Sequence, residues 1–315
     1  MNPDKIRVAA VAGPTASGKS ALAMLLCRKY GGELISCDSM QIYRRMDIGT
    51  AKPSRAERAE IPHHLIDICD PSEDFSVAEF AVLADRAIRE TAERGKLPVL
   101  CGGTGLYLDS VLRGVDFGEM EADPAYRAEL MRTAAEKGAL FLHQMLREKD
   151  PEAAERIHPN NVKRVIRALE ICRLSGMTKT EWDKAAVRKE SPYDATVIAL
   201  DYRDRDILYE KINRRVEEML DAGLENEVRS LLADGCLTPD STAGGAIGYK
   251  ELIEYINGRI SYAEAVEAVK PATRRYAKRQ LTWLRRNEAV RWLYPDDYPD
   301  TQSLFTAAQA LIFST

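Results

Sequence analysis

The sequence predicts an α/β fold, a parallel sheet flanked by helices and interrupted by an all-helical insertion. Three observations carry this expectation. Short apolar runs alternate with helix-periodic segments towards both ends of the chain. A glycine-containing loop joins the first such run to the first helical segment. A long central stretch carries helix-starting signals and no strand candidate.

Ile6 to Ala12, interrupted only by Arg7, is short and β-branched enough for a buried parallel strand. From Ala21 to Tyr30 apolar residues recur at helical spacing and stop at Gly31-Gly32, a helix C-terminal signal. A second strand is expected at Glu33 to Cys37. A helical segment from Ser76 to Arg94 leads into a third, Pro98 to Cys101, set between Gly95 and Gly102-Gly103. Between about Glu119 and Pro192 the pairs Asp123-Pro124 and Asp150-Pro151 open helices. Strand character returns at Ala195 to Leu200, and helical segments run up to Trp292. The expected division is a core of residues 1–118 and 195–315, with an insertion at 119–194.

A chain of 315 residues can bury a substantial core in one large domain or two smaller ones. Its 45% apolar and 30% charged residues suit a soluble globular protein. Cys27, Cys37, Cys69, Cys101, Cys172 and Cys236 form no C-x-x-C pair and read as buried thiols in a reducing compartment. No signal-peptide core follows Met1 and no apolar run approaches the length of a membrane span, so a cytoplasmic protein without a membrane partner is expected. No heptad calls for a dimer, and a monomer is expected. The formal net charge of −4 argues mildly against a nucleic-acid partner, but recognition depends on local clustering.

Gly13-Pro14-Thr15-Ala16-Ser17-Gly18-Lys19-Ser20 matches G-x-x-x-x-G-K-[ST]. In such a P-loop the backbone N–H groups make an anion-sized concavity, closed by the positive end of the following helix. Lys19 supplies a point charge, and Ser20 offers a hydroxyl to a magnesium ion bridging phosphate oxygens. ATP, GTP and non-nucleotide diphosphates all carry such phosphates, and the loop alone does not choose. A guanine-specific GTPase would need N-K-x-D, which is missing. The strand Val197 to Asp201 ends in one aspartate rather than an acidic pair, and a capping role suits it better.

Directly after the second strand comes Cys37-Asp38-Ser39-Met40-Gln41-Ile42-Tyr43, then Met46 to Pro53. An acid leaving the carboxyl end of a parallel strand faces the ligand crevice. Alone, Asp38 reads equally as a helix cap or an outer-sphere magnesium ligand. Further blocks are Pro62 to Asp67, Phe75 to Ala78, Gly102 to Tyr107 and Thr273 to Arg285. With these the chain resembles the bacterial tRNA dimethylallyltransferases (IPP transferases), a family with a P-loop NTPase-like core that prenylates adenosine 37 of certain tRNAs. The resemblance covers nearly the whole chain and lacks only the C-terminal Cys/His zinc element of some eukaryotic relatives.

The resemblance implies dimethylallyl diphosphate in the P-loop, Mg2+ as cofactor and the tRNA anticodon loop as partner. It gives Asp38 the role of base towards the exocyclic amine, places Thr15 and Thr104 near the diphosphate and the reacting end, and sets Arg215 on the diphosphate. It assigns tRNA contacts to Asp38, Ser39, Met40, Gln41, Thr104, Asp123, Lys163, Arg164, Val165, Ile166 and Arg167. Each has a plainer reading. Thr104 could cap the helix after Gly103, Arg215 could pair with Glu218 or Glu210, Gln41 could be solvated loop, and Asp123 could be the N-cap before Pro124. Lys163, Arg164 and Arg167 fall on neighbouring positions of one helix face, a phosphate-sized patch or a solvated one, opposite Val162, Val165, Ile166 and Leu169. A second basic cluster comprises Arg274, Arg275, Lys278, Arg279, Arg285 and Arg286, while the stripe Tyr276, Gln280 and Trp283 reads as core packing. His63 and His64, in a loop-like stretch, read as structural. The competing functions are a small-molecule kinase using the loop for ATP, and an NTP-switched RNA-binding protein.

Overall fold

The computed structural model describes residues 5–114, 123–186 and 190–313. The chain divides into two compact units, Met1–Leu112 with Pro192–Thr315, and Arg113–Ser191. The strands are β1 Ile6–Ala12, β2 Glu33–Ser36, β3 His63–His64, β4 Pro98–Gly102, β5 Tyr193–Leu200 and β6 Arg291–Leu293. The helices of the first stretch are α1 Lys19–Tyr30, α2 Arg55–Glu60, α3 Val77–Glu93 and α4 Gly105–Leu112. The second unit holds α5 Pro124–Lys137, α6 Ala139–Lys149, α7 Pro151–Arg156, α8 Val162–Ser175 and α9 Lys179–Ala186. The first unit resumes with α10 Arg205–Asp221, α11 Leu224–Ala233, α12 Tyr249–Ile256, α13 Tyr262–Leu284 and α14 Thr301–Phe313.

All six strands join one sheet in the order β3-β2-β4-β1-β5-β6, and every pair is parallel. β1 is central, and its alternating side chains feed two cores. Val8, Ala10 and Ala12 pack with Phe80, Ile88 and Tyr107, while Ala9 and Val11 pack with Leu22, Leu26 and Phe305. Burial on both faces is why this strand reads as a continuous apolar run. A third cluster, including Ile42, Tyr43, Met46, Leu224 and Tyr249, lies beyond the sheet.

Two expectations are corrected. His63–His64 is a short edge strand on β2 rather than a loop. Arg291–Leu293 pairs with β5, so the helical run ends at Leu284 and not at Trp292. Two- and three-residue edge strands are too short for periodicity to reveal. The six cysteines are unpaired, but Cys172 and Cys236 are only partly buried.

In the second unit Leu130, Leu142, Leu146, Val165, Ile166 and Leu169 form a core of their own. Asp123 and Asp150 are the N-caps ahead of Pro124 and Pro151, accepting from the backbone N–H of Tyr126 and Ala153 at 2.9 Å. Glu170, fully buried, accepts from Arg127 at 2.7 and 2.9 Å and from Arg167 at 2.5 Å. No helix among the described residues is long and apolar enough to cross a membrane.

Candidate active site

The site lies at the carboxyl ends of β1, β2 and β4. β1 delivers the P-loop, in which Ala16 (φ 62°) and Gly18 (φ 88°) are left-handed and turn the chain into α1. Lys19 Nζ donates to Pro14 O at 3.2 Å, folding back over the loop. Burial pushes Lys19 below the usual lysine value, and Arg215 pushes the same way against Cys101 and Asp38. Among the described residues Ser17 Oγ finds no hydrogen-bond partner, although it is buried.

β2 delivers Asp38, whose Oδ1 accepts from Met40 N at 2.9 Å and closes a turn over the strand end. β4 delivers Gly102 and Gly103, both required by close approach. A Cβ on Gly102 would lie 2.2 Å from Cys37 O, and one on Gly103 2.1 Å from Gln280 Nε2. The tight passage brings Thr104 to Ser39, so that Thr104 Oγ1 accepts from Ser39 N at 3.2 Å and donates to Ser39 Oγ at 3.4 Å. Burial pushes the Cys101 thiol up to about 11, leaving it neutral beside Lys19.

α10 and α13 complete the walls. Arg215, from α10, has its pKa lowered by burial and held up by Asp38. The ion pair to Glu218 is made by Arg214 instead, at 3.6 Å. From α13 come Thr273, Tyr276, Arg279 and Gln280, and Gln280 Oε1 accepts from Thr15 N at 3.0 Å. One cavity of about 490 Å³ is shared by Thr15, Lys19, Ser20, Asp38, Ser39, Met40, Gln41 and Arg215, and the α13 residues line it too, whereas Gly103 and Thr104 do not.

The geometry revises several assignments. Thr104 stands behind Ser39 rather than on the cavity wall. Gln41 is neither solvated nor free to read a base with its amide N–H groups. Its Nε2 donates to Thr50 O (3.2 Å) and Ala51 O (3.3 Å), and its Oε1 accepts from Ser36 Oγ (2.9 Å). Tyr276 and Gln280 line the cavity rather than serving only as core packing, whereas Trp283 packs over Gly105 and donates to Asp109. Thr273, Tyr276 and Gln280 recur at i, i+3 and i+7 on one helix face, a polar stripe that could have marked them. Asp201 is buried and accepts from Arg205 and Arg285, so it is neither a simple cap nor turned towards the loop.

In the second unit, Val165 and Ile166 are buried in the core, so their side chains are not available to RNA. Lys163 and Arg164 are exposed, while Arg167 is committed to Glu170 and Asp123 to its cap. His63 lines the cavity with Nδ1 on Ile61 O (2.7 Å), and His64 pairs with Glu33 (2.7 Å). Among the described residues no group of three His, Cys, Asp or Glu side chains could hold a metal ion.

Comparison with known proteins gives a consistent result. A family described as IPP transferase matches residues 41–287, and one described as isopentenyl transferase matches residues 6–67. The chain is 46% identical over 95% of both chains to a tRNA dimethylallyltransferase of Caldanaerobacter subterraneus. It is 49% identical to that of Bacillus licheniformis over 93% of this chain and 92% of the relative. Among solved structures it resembles the tRNA isopentenylpyrophosphate transferase of Bacillus halodurans with a TM-score of 0.72, at 44% identity over 97% of this chain and 95% of the other. A eukaryotic dimethylallyltransferase acting on tRNA superposes with a TM-score of 0.82, at 28% identity over 96% and 78% of the two chains.

Proposed function

The chain belongs to the IPP transferase family, and from that premise we propose how its cavity carries out prenyl transfer. The enzyme transfers a dimethylallyl group to an adenosine of tRNA. The observation that carries our reading of the site is that Lys19, Arg215 and Asp38 line one cavity, which brings two cations and a phosphate loop together with the carboxylate at the end of β2.

The P-loop is a leaving-group site. The diphosphate of dimethylallyl diphosphate lies in the amide concavity, with Lys19 released from Pro14 O to meet it and Arg215 opposite. As the carbon–oxygen bond breaks, its electron pair stays on the diphosphate, where these cations stabilise the growing charge. The acceptor is the N6 amine of adenosine 37, a weak nucleophile because its lone pair is delocalised into the ring. Asp38 orients this amine and takes its proton as the carbon–nitrogen bond forms. Thr15 borders the diphosphate, Ser39 and Met40 border the base, and Thr104 fixes Ser39.

The donor set fits magnesium. Mg2+ is commonly held by one or two protein groups plus substrate phosphates, so Ser20 with the diphosphate suffices and no ready-made cage is needed. When bound it would neutralise diphosphate oxygens.

The base must leave the anticodon stack to enter the cavity, a cost of a few kcal/mol recovered by contacts inside. Lys163 and Arg164 hold phosphates of the same RNA. With tRNA as acceptor, the reaction belongs in the cytoplasm, and a single chain carries all the residues invoked. The test supplies magnesium, labelled dimethylallyl diphosphate and bulk tRNA, in parallel with labelled ATP. Label in tRNA supports the reading, and phosphate transfer or ATP hydrolysis without prenylation overturns it.

A further inference from the structure

Glu227, on α11, stands outside the machinery described above. Its carboxylate accepts three consecutive backbone N–H groups, those of Asp47 (3.0 Å), Ile48 (2.8 Å) and Gly49 (3.2 Å). The Tyr249 hydroxyl donates to the same group at 2.5 Å. Successive amides converging on one point form an anion-binding concavity, and here a side chain of the protein fills it. Tyr249 is fully buried, and burial raises its phenol well above the ordinary value, so it remains a donor.

This pairing fixes Gly49 against its neighbours. A Cβ on Gly49 would fall 2.5 Å from Tyr249 Cε2 and 2.8 Å from Leu224 Cδ1. Gly49, Thr50, Ala51 and Lys52 form one wall of the cavity. The wall is also held by Gln41 and by the Lys52 ammonium, which donates to Tyr43 O (2.8 Å), Asp47 (2.6 Å) and Asp67 (2.6 Å). Ala51 sits at φ 47°, a conformation an alanine keeps only where its surroundings over-determine it. The wall therefore has a defined position set by residues on other elements.

The chemistry of the cavity differs between its banks. Asp38 and Ser39 offer polar groups suited to a base, whereas Met219, Leu220, Leu224 and Ala246 line it with hydrocarbon and pack in the same apolar cluster as Tyr249. We infer that Glu227 and Tyr249, acting through Gly49, set the room available to the transferred hydrocarbon and hold the enzyme to a five-carbon group. The inference rests on the reading that this cavity takes dimethylallyl diphosphate. Glu227 is a positioning residue, since it acts through the wall, while Tyr249 both holds Glu227 and itself borders the cavity.

The test compares dimethylallyl with geranyl diphosphate on one anticodon stem-loop RNA, using wild type, Glu227→Gln and Tyr249→Phe. Glu227→Gln turns an N–H towards the amides it should accept from, and Tyr249→Phe deletes one donor with little change of shape. The ratio of kcat/KM for the two diphosphates cancels the fraction of folded enzyme, so a purely structural role leaves it unchanged. We expect preference for the five-carbon substrate to fall roughly tenfold in Glu227→Gln and by less in Tyr249→Phe, with the KM for RNA near wild type. An unchanged ratio in both variants overturns the inference, as does a raised RNA KM at constant ratio, which would put the wall beside the base. Should Glu227→Gln fail to fold, Tyr249→Phe decides alone. Absence of prenyl transfer by wild type would instead refute the underlying reading of the cavity.

Discussion

The backbone N–H of Thr15 donates to Gln280 Oε1 at 3.0 Å across 265 residues of sequence. A P-loop amide is thus held by a buried side chain from α13, near the other end of the chain. The contact ties the phosphate cradle to the helix that also brings Tyr276 and Arg279 to the cavity.

Gly103→Ala should break this link without touching substrate. The new methyl would sit 2.1 Å from Gln280 Nε2 and 2.9 Å from Gly13 O, and Gln280 must move. An orphaned, partly buried amide costs about 1–3 kcal/mol, or roughly 5- to 150-fold in affinity. We expect the KM for the diphosphate substrate to rise within that range while the protein remains folded. Steady-state kinetics beside a thermal melt would check it, and an unchanged KM would show the contact to be incidental.

Much of the fold was legible because it depends on local pattern. The run Ile6–Ala12 is apolar because β1 is covered on both faces, and the Asp-Pro pairs predicted caps that the structure contains. Illegible features depend on distant partners. Nothing near Glu227 announces that its carboxylate will meet the amides of Asp47 to Gly49, and nothing near Gln280 points to Thr15. For Val165 and Ile166 the apolar pattern of α8 and the family resemblance pointed in different directions, and burial of both side chains in the core of the second unit agrees with the pattern.

Reversing charge at Lys163 and Arg164 should weaken RNA binding without altering the chemistry. Both are exposed on α8, and neither is needed for its packing. Each lost phosphate contact should make the slope of log K against log salt shallower by about 0.7–0.9. Filter binding of an anticodon stem-loop at several salt concentrations measures this. Unchanged slopes would place the RNA elsewhere.

Glu170→Ala tests the interior of the second unit. Removing one member of a buried ion pair costs about 3–5 kcal/mol when the partner charge stays buried. Here Arg127 and Arg167 are 45% and 40% exposed and can rehydrate, so the loss should be nearer 1–3 kcal/mol, chiefly from the N–H of Asp123. Denaturant melts reporting on the helical unit would show the difference.

Glu33 predicts an acid-sensitive step in stability. Its carboxylate accepts from Arg94 and lies 2.7 Å from His64, and Arg94 is the main cause holding its pKa down at about 2. An unfolded glutamate titrates near ~4.3, so the native state favours the ionised form. That stabilisation is present above about pH 4 and is lost as pH falls towards 2. Glu33→Gln should be less stable at neutral pH and show a flatter acid limb between pH 4 and 2. Parallel acid limbs in urea melts would contradict the assignment.

Asp38→Asn isolates the proton acceptor from the rest of the site. Asparagine keeps the shape and an oxygen that can accept from Met40 N, as Asp38 does at 2.9 Å, so the turn over β2 should survive. The P-loop is untouched, and loss of a negative charge near Lys19 and Arg215 should leave diphosphate binding intact or slightly improved. What asparagine cannot do is take the proton from the attacking amine, an effect worth roughly 10²–10⁴ in turnover. A fall of that size in single-turnover prenyl transfer, with diphosphate affinity retained, is the expected result. If turnover instead stays near wild type, the amine loses its proton to solvent, and Asp38 serves only to orient the base.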